Sequence, residues 1–260
     1  MNAAVLGGVR IAFEVQGTGE PLLLVQGLGY GRSGWGPARE LLADRFQVVS
    51  YDSRGFGESD SPQGPYTTAQ LADDAMGVLD AADLESAHVV GISLGGMIAQ
   101  ELALSRPDRV RTLVLCSTTP GGPTAFPMPE QTVALMGSAP HLDPEVAQRR
   151  FVDNALSPDA RVELVDEIVA YRQAHPPDPA GWRALAAAGA AHDAAARLGE
   201  IRLPTLVVHG TADNVVDVRN ATLIADAIEG ARLELFEGVG HLLPWERPHE
   251  FTTLVEELVA

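Results

Sequence analysis

Gly91-Ile92-Ser93-Leu94-Gly95 sets a serine two residues from a glycine on either side, between the apolar block Val89-Val90 and an apolar run opening at Leu94. A hydroxyl presented on a sharp strand-to-helix turn needs that spacing, because larger side chains at the flanking positions would strike the adjacent strand or helix. The start of the helix also favours negative charge, through its unpaired N–H groups and its dipole. Both features suit a nucleophile for acyl transfer. Serine is weak in that role without a base, so a histidine, and an acid to orient it, must come from elsewhere in the chain.

Seven histidines compete for the role of base. His88 opens a strand-like block, His141, His175 and His192 fall in a strand-poor middle region, and His249 begins a late helix. His209, in Val-Val-His-Gly, reads as structural. His241 stands apart, in Glu237-Gly-Val-Gly-His-Leu-Leu-Pro244, a loop directly after the last strand-like block, and is the expected base. Asp213 follows the penultimate strand-like block and completes the order Ser…Asp…His, with Asp217 as a nearby rival. An acid after the block ending at Cys116 is absent, since Ser117-Thr-Thr119 supplies none. A tetrahedral intermediate needs two donors: the Leu94 N–H beside the nucleophile, and a donor from Gln26-Gly-Leu-Gly-Tyr-Gly-Arg-Ser-Gly-Trp35, where Leu28 is the candidate.

Positioning these groups requires a sheet whose strands end at one edge. Leu22–Val25, Phe46–Val49, His88–Val90, Val110–Cys116, Leu206–Val208 and Leu233–Phe236 read as strands. Most are continuously apolar, as strands covered on both faces should be. Helical patterns separate them at Ala38–Ala43, Thr68–Ala82, Leu94–Ser105, Arg219–Ile228 and Phe251–Val259. In the second of these, Leu71, Ala75, Val78, Leu79 and Ala82 recur at intervals of three and four, with Thr67 or Thr68 as the N-cap. Alternating strand and helix predicts an α/β fold, a mostly parallel twisted sheet with helices on both faces. Val9–Val15, followed by Gly17-Thr-Gly19, predicts an antiparallel hairpin at the sheet edge.

From Pro120 to about Leu203 the strand rhythm stops. Six prolines between Pro120 and Pro144 exclude one continuous helix, and a helical pattern starts at Glu145. Nine of the thirteen residues from Ala184 to Ala196 are alanine, which favours a helix that can approach its neighbours closely. Residues 121–203 are therefore expected to form a helical insertion over one end of the sheet, with 1–120 and 204–260 as the core. Phe126, Met128, Leu135, Met136 and Trp182 are its candidate apolar lining, and Phe126, Met136 and Trp182 its candidate substrate contacts.

A formal charge of −17, from 18 basic and 35 acidic residues, argues against nucleic-acid binding, and the basic residues form no patch. The longest uninterrupted apolar run, Ala184 to Ala188, is far short of the roughly 20 residues a spanning helix needs, so no membrane association is expected. The residues from Met1 to Arg10 have no basic start followed by an apolar block, and the cytoplasm is the expected location. One cysteine, Cys116, forbids an intrachain disulfide, and no Cys/His cluster has metal-ligand spacing.

Taken in this order, the residues resemble the α/β-hydrolase superfamily nearly end to end. Tyr51-Asp-Ser-Arg-Gly-Phe-Gly-Glu-Ser59 is similar to the family's Asp-x-Arg-Gly-x-Gly-x-Ser turn, in which Asp52 and Arg54 are expected to be structural. Arg106-Pro-Asp-Arg-Val110 and Glu246-Arg-Pro248 are similar to family segments too. The chain resembles most the small esterase, enol-lactonase and cofactor-free haloperoxidase group, from which it departs in having Gln26-Gly27 where His-Gly is usual. The resemblance implies a helical cap over a buried site, no cofactor, and a small-molecule ester or lactone substrate hydrolysed through an acyl-enzyme. A perhydrolase or haloperoxidase and a carbon–carbon bond hydrolase could use the same triad, and a ligand receptor could use the same fold.

Overall fold

Continuous apolar blocks become the buried strands. In the computed structural model, which describes residues 2–260, six strands run parallel: β3 (Glu20–Val25), β4 (Phe46–Tyr51), β5 (Ala87–Ile92), β6 (Val110–Cys116), β7 (Thr205–Gly210) and β8 (Arg232–Phe236). Every residue of β5 and β7 is buried. At the edge, β8 is partly exposed and carries Arg232 and Glu234, charges that discourage pairing with another chain. Two further strands, β1 (Asn2–Leu6) and β2 (Val9–Gln16), complete an eight-stranded sheet in the order β1-β2-β4-β3-β5-β6-β7-β8.

The N-terminal hairpin differs from expectation. β2 pairs antiparallel with both β1 and β4, and the hairpin turn is Gly7-Gly8, between β1 and β2. Gly17-Thr-Gly19 instead carries the chain from β2 across β4 to β3, deeper in the sheet.

Alternation along the strands separates two cores. Leu23 and Val25 of β3 face a cluster with Leu71, Val78, Ile98 and Leu102, from helices α2 (Thr68–Ala81) and α3 (Leu94–Ser105). Leu22 and Leu24 face the opposite side, with Leu42 of α1 (Pro37–Ala43) and Phe251 and Val255 of α10 (Pro248–Val259). Thr67 caps α2 through a hydrogen bond from the Gln70 N–H, 3.1 Å. Arg54 lies against α2 and makes two 2.6 Å hydrogen bonds to the buried Asp74. Asp52 accepts the backbone N–H groups of Arg32 (2.8 Å) and Glu58 (3.0 Å), so Asp52 and Arg54 both tie neighbouring segments together.

Among the described residues, four α-helices lie between β6 and β7: α4 (Glu130–Ser138), α5 (Pro144–Ala155), α6 (Val162–Ala174) and α7 (Pro179–Ala190). α5 and α6 share a third apolar cluster with Tyr30, Leu242 and Trp245 of the loops that follow β3 and β8. No helix among the described residues is long and apolar enough to cross a membrane. The chain runs from β3 to β4 on one side, then returns to β5 on the other side of β3. Such a reversal leaves a crevice outside the carboxyl ends of β3 and β5, where open α/β sheets bind ligands.

Candidate active site

Ser93 sits in that crevice. It joins β5 to α3 at φ 56°, ψ −121°, a left-handed conformation that a residue bearing a Cβ holds only under constraint. The constraint is visible in its neighbours: a Cβ at Gly91 would collide with the Gly95 carbonyl oxygen, and one at Gly95 with the Val25 carbonyl oxygen. The Ser93 N–H donates to Cys116 O at 2.9 Å, and its carbonyl accepts from Thr118 Oγ1 at 2.7 Å. The turn is thus pinned to β6 while the Oγ makes no hydrogen bond among the described residues.

Asp213 and His241 meet at the same edge of the sheet. The turn after β7 aims the buried Asp213 carboxylate so that Oδ1 accepts the N–H groups of Val215 (2.7 Å) and Val216 (2.9 Å). Oδ2 lies 2.8 Å from His241 Nδ1. A carboxylate can only accept there, so His241 carries its proton on Nδ1 and leaves Nε2 bare, the tautomer of a general base. Burial pushes the Asp213 carboxyl up, but the His241 and His209 imidazoles outweigh it and hold the group well below the usual carboxylate range. Asp217, the rival acid, pairs instead with Arg219 at 2.5 Å.

The loop bearing His241 hangs from the inserted helices. Its N–H donates to Ala155 O of α5 at 2.7 Å. Glu246 accepts the Gly240 N–H (2.9 Å) on one oxygen and the Ser157 N–H (3.0 Å) on the other. The structure therefore joins Asp213 to His241 and brings Ser93 to the same edge without hydrogen-bonding it to either.

The loop after β3 closes over the serine. A Cβ on Gly27 would lie 3.0 Å from Ser93 Cβ and 3.6 Å from its Oγ. Gln26 spans this loop: Nε2 donates to Gly34 O at 2.6 Å, and Oε1 accepts the Gly27 N–H at 2.7 Å. Trp245 Nε1 also donates to Gly34 O, at 2.9 Å. The N–H groups of Leu28 and of Leu94, the first residue of α3, have no acceptor among the described residues, which leaves both available to an oxyanion.

The three expected substrate contacts fall on different segments of the insertion, Phe126 before α4, Met136 on α4 and Trp182 on α7. Met136 is 46% exposed on α4. Phe126 carries the Arg219 guanidinium 4.0 Å above its ring and is tied through its backbone to Asn220 (2.9 and 3.0 Å). Trp182 is half-buried on α7, beside Gly181, which packs on Gly55. No hydrogen bond or ring contact among the described residues joins these three to Ser93, Asp213 or His241. Gly189 of α7 packs against the residue that follows the nucleophile: a Cβ there would lie 3.2 Å from Leu94 Cδ1 and 3.7 Å from Met97 Sδ.

Two participants escaped the reading of the sequence. Tyr171 of α6 stacks on Tyr30 at 5.9 Å, and its hydroxyl accepts the Gly31 N–H at 3.3 Å, so it touches the loop after β3. His209 donates to Asp213, and its four-residue separation from that aspartate across a strand end was the available signal. Among the described residues no group of three His, Cys, Asp or Glu side chains could hold a metal ion.

Similarity to known proteins agrees with this architecture. A family model described as the alpha/beta hydrolase fold matches residues 20–248. An Azorhizobium caulinodans protein named as a carbamate hydrolase is 32% identical over 96% of this chain and 94% of its own. A 2-hydroxymuconate semialdehyde hydrolase of a Pseudomonas species is 31% identical over 98% of this chain and 92% of its own. The crystal structure of the enol-lactonase of Burkholderia xenovorans superposes with a TM-score of 0.86 at 27% identity, covering 99% of both chains. With an elbow serine on a mostly parallel eight-stranded sheet and a family match over most of its length, the chain belongs to the alpha/beta hydrolases.

Proposed function

We propose that the protein is a serine hydrolase that cleaves a carboxylic ester or lactone through an acyl-enzyme. The observation that carries this reading is the elbow itself. A serine is held at φ 56° at a helix start, against Gly27 of the loop after β3 and at the sheet edge that also presents the Asp213–His241 pair. In this mechanism Ser93 Oγ attacks the carbonyl carbon as its proton passes to His241 Nε2. The Leu28 and Leu94 N–H groups hold the oxyanion. Collapse of the intermediate breaks the bond to the alkoxide, which leaves with the proton from His241. Water then repeats the sequence on the acyl-serine and releases the acid. Asp213 fixes the imidazole and stabilises its charged form throughout. Residues 121–203 act as a cap over the site.

Labelling with a fluorophosphonate, followed by mapping of the modified residue, tests the nucleophile, and turnover of p-nitrophenyl esters tests the reaction. Ser93→Ala should lose about four to six orders of magnitude in kcat. Retention of more than about a tenth of the wild-type rate would discard the assignment. Multiple turnovers separate an enzyme from a receptor that reacts once.

A second reading, hydrolysis of a carbon–carbon bond on the same triad, is favoured by the relative named as a semialdehyde hydrolase. Faster turnover of a diketone-like substrate than of any ester would establish it. Acceleration by added peroxide would point to perhydrolysis.

A further inference from the structure

The proton on His209 can be located from its neighbours. Its Nε2 faces two acceptors, Asp213 Oδ2 at 2.9 Å and the Val216 carbonyl at 3.1 Å, neither of which has a proton to give. Nε2 must therefore carry the hydrogen. Nδ1 is buried with no partner, which fits a bare nitrogen better than a second N–H. The side chain is 1% exposed. Asp213 consequently receives two backbone N–H groups on Oδ1 and two imidazole N–H groups on Oδ2, one from each histidine.

Sharing one oxygen has a chemical consequence. A carboxylate that accepts an additional hydrogen bond has its negative charge better dispersed and attracts an imidazolium less strongly. The other ionisable groups around the pair are occupied. The Cys116 thiol of β6 is pushed up to about 12 by burial and remains neutral. Asp217 is held by Arg219. Glu246 of α9 (Leu243–Glu246) uses both oxygens on backbone N–H groups. No lysine or arginine reaches Asp213 among the described residues.

We propose that His209 is a positioning residue of the active site, which donates through Nε2–H to the Asp213 oxygen that orients His241 and so limits the basicity of His241. The inference rests on reading His241 as the general base. His209 touches neither substrate nor reacting atoms; it acts through the carboxylate. Without its N–H, Asp213 would bind the protonated imidazole more tightly, and His241 would stay protonated to higher pH.

The test compares His209→Phe, which keeps a planar ring without a donor, with His209→Gln, whose amide nitrogen can occupy the place of Nε2. With p-nitrophenyl butyrate as probe, His209→Phe should move the acid-limb midpoint of kcat/KM upward by about 0.5–1 pH unit, and His209→Gln should return it to within about 0.2 unit of wild type. A His209→Phe midpoint unchanged within that margin overturns the proposal, as does a His209→Gln shift equal to that of His209→Phe, which would mean that the ring only fills space. Should His209→Phe fail to fold, nitrogen-15 spectra of labelled wild-type protein decide: a protonated Nε2 with bare Nδ1 on His209 supports the proposal, and the opposite tautomer sinks it. Following the His241 titration by the same spectra in a Ser93→Ala background, with and without the His209 change, needs no turnover. It therefore separates failure of this inference from failure of the serine mechanism, which would appear as undiminished activity in Ser93→Ala alone.

Discussion

Replacing Gln26 with leucine probes how the loop after β3 is held. The wild-type side chain is 6% exposed and bridges the loop with hydrogen bonds of 2.6 and 2.7 Å. Leucine removes both. Gly34 O keeps the Trp245 indole as donor, so that loss costs about 0.5–1.5 kcal/mol. The Gly27 N–H is left without its acceptor, at about 1–3 kcal/mol, so the variant should be less stable by about 1.5–4.5 kcal/mol. Removing one oxyanion donor outright lowers kcat by about 10²–10³. Here the Leu28 N–H survives on a loop freed at one end, and kcat should fall by about 10- to 100-fold. KM should stay within about threefold, because the interaction matters only once charge has developed on the oxygen. Steady-state kinetics on a p-nitrophenyl ester, with urea unfolding in parallel, gives both numbers. A kcat within about twofold of wild type in a protein destabilised as expected would refute the reasoning, since the loop would then keep its place without the bridge. A raised KM with intact kcat would show that the loop binds ground-state substrate instead.

Burial pushes the His192 imidazole down to about 4, so the folded protein resists a proton that the unfolded chain takes up near pH 6.5. Its contribution to stability is therefore complete above that pH and declines as the pH falls towards 4. About 2 kcal/mol should disappear between roughly pH 7.5 and pH 5, and urea titrations of His192→Gln should show a flatter slope over that range. Arg54→Met leaves the Asp74 carboxyl 1% exposed without its partner, a loss of about 3–5 kcal/mol by chemical denaturation, while the double change Arg54→Met with Asp74→Leu should recover much of it. Gly95→Ala drives a methyl group into the Val25 carbonyl and should abolish esterase activity, with a fall in Tm; an active, fully stable variant would contradict the elbow geometry. Leu102→Ala, in the core under α3, should cost about 2–5 kcal/mol by urea unfolding and leave KM unchanged.

The legible part of the chain was the part governed by local pattern. Continuous apolar blocks located the buried strands, three- and four-residue spacing located α2, and two glycines around Ser93 located the elbow. β1 escaped because Ala3, Ala4 and Val5 are a weak strand signal, although Gly7-Gly8 is a recognised hairpin pair and could have revealed it. Gly17-Thr-Gly19 is as turn-like as Gly7-Gly8, and only the order of strands in the sheet distinguishes them. His209 looked structural because sequence shows neither the direction of a ring at a strand end nor the chain reversal that returns Asp213 to it. The insertion was harder still. Helix formation could be read from its composition, but which faces of α4 and α7 turn inward depends on packing with distant loops, and so Met136 emerged exposed.

The bond from His241 to the Ala155 carbonyl, with Glu246 reaching back to Ser157, has a bearing on protein engineering. It makes the segment after β6 part of the scaffold of the imidazole loop. Exchanging residues 121–203 for the equivalent stretch of a relative, in order to borrow its selectivity, would remove that anchor along with the proposed cap. A chimera that keeps residues 152–157 and grafts only the flanking helices would separate the two roles.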